Sequence, residues 1–129
     1  MASGPGVQRA KDALDMWLAG GGVVRLWKVA PGFDGTGGTE SVPAGGAPTA
    51  TFGPAQDGTS GQIAFAKSGT VTLAGVPDAS SAITALSVHD PVDDEIISLD
   101  TNWTAPGAGW SAGDSPQLAF VTVPFVPVS

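Results

Sequence analysis

One histidine serves the whole chain, His89, and four carboxylates follow it closely: Asp90, Asp93, Asp94 and Glu95. Three chemistries could use such a cluster. His89 could be the base of a nucleophilic triad, which also needs an activated serine and an acid that orients the imidazole. Asp90 is a poor orienting acid, because neighbours on a strand point to opposite faces. No G-x-S-x-G stretch marks a nucleophile, and with no cysteine there is no thiolate to replace it. A carboxylate pair drawn from Asp90, Asp93, Asp94, Glu95 and Asp100 could in form hydrolyse a glycoside. Asp90, Asp93, Asp94 and Glu95 could instead offer hard oxygens to Ca²⁺, although the loop lacks both the D-x-[DN]-x-[DN]-G order of an EF-hand and any glycine. The plainer alternative is a hairpin turn in which Asp90 and Pro91 bend the chain while Asp93 and Asp94 keep it solvated. That alternative is favoured. No catalytic or cofactor-binding residue is expected, and the chain is read as not an enzyme.

The elements that must hold this turn are short. "ALSV" and "EIISL" flank it as apolar strands. Upstream, "VQRAKDALDMWLAGGG" places Ala10, Leu14 and Leu18 at helical spacing with Trp17 beside them, and three glycines stop the helix. "SGPG" before it reads as an extended arm. "VVRLWKV" over residues 23–29 reads as the first strand. Residues 31–54 then read as a long loop, with short strands possible at 40–42 and 49–52. "QIAFAK" alternates with Ile63 and Phe65 inward, and "GTVTLAGV" with Val71 and Leu73 inward. Residues 82–88 alternate again, and residues 115–128 form a last strand whose Pro124 and Pro127 confine it to an edge. The expected organisation is an arm and short helix over 1–22 and a single β-domain over 23–129. The expected fold class is mainly β, a small antiparallel β-sandwich or barrel.

Composition narrows the partners. All five basic residues lie in residues 1–67 with five acids, whereas residues 68–129 hold seven acids and no base, which puts the whole net charge of −7 there. Nucleic-acid binding needs cations to displace condensed counterions, so no nucleic-acid partner is expected. No apolar run approaches the roughly 20 residues that span a bilayer, and no signal peptide is read at the start, so no membrane is expected either. Charged residues are only 13% of the chain, about half the usual share. A surface so poor in charge hints at assembly. Trp103 and Trp110 lie in glycine- and proline-rich sequence, where a tryptophan can stack on a sugar, anchor an interface or fold back over a small core.

The order of segments resembles a family of small virion proteins of tailed bacteriophages, known as minor capsid, decoration or minor tail proteins. The resemblance rests on the short helix, then "VVRLWKVAPGFDGTGGTE", "ATFGPAQDG", "ITALSVHD" and "WSAGDSPQLAF", and it spans most of residues 10–123. "VPAGGAPTA" and "DPVDDE" depart from it, where the family has an aromatic-Ala-Arg strand and an Asp-Ala-x-x-Gly-Gly turn.

The resemblance implies a structural role in the virion, made in the host cytoplasm: a capsid decoration (cement) protein acting as a homotrimer on the major capsid protein. The alternative is a minor tail or receptor-binding component that meets a host glycan. Expected interface residues are Val7, Leu14, Trp17, Leu18, Phe33, Trp103 and Trp110. A sugar-binding module or calcium-dependent adhesin unrelated to phage is a third class.

Overall fold

A computed structural model describes residues 5–58 and 61–125. Of the extended arm expected over "SGPG", Ser3–Gly6, the first two residues lie outside the described residues, as does the strand end expected at residues 126–128, whereas Pro5 and Gly6 belong to a helix. The chain begins with helix α1 (Pro5–Trp17). Pro5 opens it, where a missing N–H costs nothing. The helix closes through Gly21, whose amide donates to the Leu18 carbonyl at 2.9 Å. Gly21 has φ +87°, and a Cβ there would stand 2.7 Å from the Ala50 carbonyl oxygen. Gly21→Ala is therefore expected to destabilise the protein by about 2 kcal/mol. A lower urea midpoint at constant m would register it; an unchanged midpoint would mean that the junction relaxes freely.

Among the described residues ten strands follow, all antiparallel. β1 (Gly22–Val29) is the centre of a five-stranded sheet. It pairs with β2 (Thr39–Ser41), β3 (Thr49–Ala50) and β7 (Ala85–His89), and β7 pairs with the outer strand β8 (Ile96–Asp100). A second sheet holds β4 (Gln56–Asp57), β5 (Ala64–Lys67) and β10 (Thr122–Phe125), with β5 in the middle. β6 (Val71–Thr72) and β9 (Gln117–Leu118) form a separate two-stranded ribbon. The fold is mainly β with antiparallel sheets and one short N-terminal helix, and the sheets do not close into a barrel. The stretch 31–54 is not all loop, since β2 and β3 lie within it and Phe52 bridges to Ser68.

One core serves helix and strands together. Ala10, Leu14 and Leu18 meet Val24 and Leu26 of β1, Leu86 and Val88 of β7, and Val123 of β10. On β5 the expected phase is reversed: Ala64 and Ala66 are buried, and Ile63 and Phe65 are only half-buried. The reason is α1, which packs against β5; small side chains let a helix backbone come close. The single strand expected over 115–128 is also split. β9 pairs with β6 and β10 with β5, so the two halves serve different sheets.

Candidate functional site

The chemistry-bearing residues gather on the face of the β1–β7 pair that points away from the core. Arg25 and Trp27 are two apart on β1, Ser87 and His89 two apart on β7, and the register sets Arg25 opposite Ser87. Strand periodicity thus puts all four on one face. Trp27 Nε1 donates to Ser87 Oγ at 2.8 Å, and Ser87 Oγ lies 2.6 Å from His89 Nε2. An indole N–H only donates, so the Ser87 hydroxyl accepts from Trp27. His89 Nδ1 lies 3.0 Å from the Asp94 carbonyl and 3.2 Å from its Oδ1; both are acceptors, so in the neutral ring Nδ1 carries the proton and Nε2 accepts a hydrogen bond from the Ser87 hydroxyl. Trp27 also stacks on the imidazole, ring centroids 6.5 Å apart.

Asp94, not Asp90, is the acid that orients the histidine. The turn brings it back because Asp94 adopts the left-handed conformation, φ 62°, which short polar side chains tolerate. Its Oδ1 also accepts from Arg25 Nε at 3.2 Å, and Arg25 Nη1 donates to Glu40 Oε2 at 2.9 Å. Burial opposes the charge on Arg25. The hydrogen bond and field of Glu40, joined by those of Asp94, outweigh it and hold the guanidinium pKa above its ordinary value.

Serine, histidine and aspartate thus stand in triad order, an arrangement that the sequence reading missed although the Ser87-x-His89 spacing carries it. The order does not make a nucleophile. Ser87 is 0% exposed and its oxygen is already held by Trp27, so no substrate carbonyl can reach it. The network braces β1, β7 and the acidic turn.

Two more carboxylates of the turn each spend one oxygen locally. Asp90 Oδ1 accepts from the Val92 amide at 2.8 Å and Asp93 Oδ1 from the Glu95 amide at 3.1 Å. Among the described residues, no three His, Asp or Glu side chains converge to hold a metal. The Asp90, Asp93, Asp94 and Glu95 set is therefore not a calcium cage as it stands: Asp90 and Asp93 fix the hairpin and Asp94 turns to Arg25 and His89.

The expected interface residues separate into two groups. Leu14 is 0% exposed and Leu18 lies in the same core, so neither offers a side chain to a partner; packing α1 onto β5 uses them up. Val7 is half-buried. Trp17 is 41% exposed and stacks on Phe125 at 5.8 Å. Trp103 and Trp110 are half-buried against the core, their rings 6.1 Å apart and tilted by 44°. Trp110 Nε1 donates to the Asp78 carbonyl at 3.1 Å. The two pack on each other rather than form one flat sugar platform.

Phe33 is 72% exposed on a loop ordered by Asp34, whose Oδ1 accepts from the amide and hydroxyl of Thr36 at 3.0 and 2.8 Å. The backbone bond, then the hydroxyl bond, lowers the Asp34 pKa. Its support to the loop is fully present above the ordinary carboxylate pKa and is lost as pH falls through the depressed one. Carboxyl-carbon NMR should put the Asp34 midpoint below 3.8. A midpoint at or above that value would mean the Thr36 bonds do not form.

Trp17 and Phe33 flank Ile96 from two sides, each in a shallow depression that also includes Glu95. Val92, 93% exposed, lies in the turn that precedes Ile96. A separate groove of about 510 Å³ runs between β8 and β10, with Leu99, Trp103, Phe120 and Pro124 among its walls. Compared with known protein families, with curated proteins and with solved structures, the chain finds no match.

Proposed function

We propose that this chain is a non-enzymatic structural component of tailed-bacteriophage particles, a decoration protein that binds the capsid surface as a homotrimer and cements neighbouring subunits of the major capsid protein. We read its two larger sheets, which share one core, as an open sandwich. The observation that carries the reading is the pair of exposed aromatics Trp17 and Phe33, each in a depression that includes half-buried Ile96 and carboxylates of the acidic turn. Exposed aromatics so placed favour a partner over water. The resemblance of the sequence to virion proteins supplies the identity of that partner, and the threefold sites of such shells supply the trimer. A protein that binds only the assembled shell stabilises it by mass action, and an interface across subunit junctions adds to that with its area.

Particles lacking the chain test this. Adding the purified protein should make it co-sediment with them and raise the temperature at which they release DNA. Failure to co-sediment contradicts it.

A minor tail or receptor-binding role is the second reading. It is favoured by one observation, that Trp103 lines the β8–β10 groove beside the polar side chains of Gln62, Ser98 and Asp100.

A further inference from the structure

Free strand edges offer unpaired N–H and C=O groups to any extended chain, and proteins shorten them, charge them or cover them. The outer strands β2 and β4 have three and two residues. β8 is different. It runs for five residues, "IISLD", contains no lysine or proline, and among the described residues pairs only with β7. On its open side β10 approaches without pairing, and β10 is itself the edge of its sheet. Two sheet edges therefore face a common groove, floored by Leu99, Trp103, Phe120 and Val121.

The charge around this edge has one sign. Asp93 and Glu95 precede β8 and Asp100 ends it, and none of the three meets a lysine or arginine among the described residues. Lys67 of β5 is not among the residues that line the groove; it sits 4.5 Å over the Phe120 ring. A second copy is a poor occupant. Antiparallel pairing of two β8 edges about a twofold axis would lay acidic ends against acidic ends, and like charges opposed across strands destabilise pairing.

We propose that the free edge of β8, with the groove beside it, receives an extended segment of a partner protein, apolar on one face and carrying lysine or arginine on the other, which adds to the sheet as a strand. The partner's backbone pairs with Ile96–Asp100, its apolar side chains enter the groove, and its cations meet Asp93, Glu95 and Asp100. This deepens the reading above, in which a shell subunit supplies the segment, but the surface is testable without particles.

The probe is a short synthetic peptide alternating valine and lysine, offered to the full chain at physiological salt and followed by amide hydrogen exchange. Exchange over 96–100 should slow by about tenfold. A peptide of equal charge with prolines in place of the valines, and one with glutamates in place of the lysines, should have no effect. The E95K/D100K variant, with an unchanged melting curve, should lose the response. Equal protection by the proline peptide would reduce the effect to charge attraction and overturn the proposal. Protection only at other strands, no protection at all, or a Trp103 response to a soluble oligosaccharide without one to the peptide would overturn it as well. A positive peptide result in a chain that is absent from particles would retain this surface and discard the phage reading. A particle-bound chain whose E95K/D100K variant still binds would do the reverse.

Discussion

Leu14→Ala should destabilise the isolated chain by about 3 kcal/mol, a fall of roughly 10 °C in Tm. The reasons are its complete burial and its position. Leu14 is 0% exposed, midway along α1 between Ala10 and Leu18, where the helix meets β5. The facing side chains there are Ala64 and Ala66, too short to refill the space that a leucine leaves. The residual cavity therefore adds to the lost transfer free energy. Trp17→Ala, one turn further on and 41% exposed, should cost clearly less. Thermal unfolding of both variants by circular dichroism decides the matter. A helix that serves only to dock on a partner would show the opposite order: no loss for Leu14→Ala in the isolated protein, and a large loss in binding.

Ser87→Ala should cost about 3 kcal/mol as well, through polar groups rather than volume. One hydroxyl satisfies two neighbours, the Trp27 indole N–H at 2.8 Å and His89 Nε2 at 2.6 Å, in a place without access to water. Removing it strands a buried donor and a buried acceptor together. Thr84→Val removes a hydroxyl that also donates to a backbone carbonyl, that of Lys28, but in an exposed position. Its cost should stay within about 0.5 kcal/mol. In a Trp27→Phe background the Ser87→Ala change should cost about 1 kcal/mol less, because one of the two stranded groups is already gone. Equal costs for Ser87→Ala and Thr84→Val would show that Ser87 is not the junction of a buried network.

The elements with strong local signals were legible. β1 has β-branched and aromatic residues bounded by glycine and proline, and α1 has its apolar stripe and its glycine stop; both lie within a residue or two of where the pattern puts them. The acidic turn was legible as a hairpin because proline and aspartate act locally. What failed was whatever depends on a neighbour. All five residues of β7 are buried, because Trp27 covers the face that alternation leaves to solvent. The phase of β5 was misread because alanine scores as a weak core residue until a helix is laid across it.

The Trp27–Ser87–His89–Asp94 chain joins residues up to 67 apart in sequence; His89 and Asp94 stand close together in it, while Trp27 joins them only through the β1–β7 register. Leu14 and Leu18 entered the interface list because an amphipathic stripe does not say whether it meets its own domain or another.

The measurement that bears most directly on the proposed role is the copy number of this protein in purified particles of the phage to which the proposal assigns it, by quantitative mass spectrometry normalised to the major capsid protein. A decoration protein bound across the shell should be present in hundreds of copies, on the order of one for each major capsid subunit. A handful of copies would move it to the tail and contradict the cementing role, and complete absence would contradict the virion reading altogether.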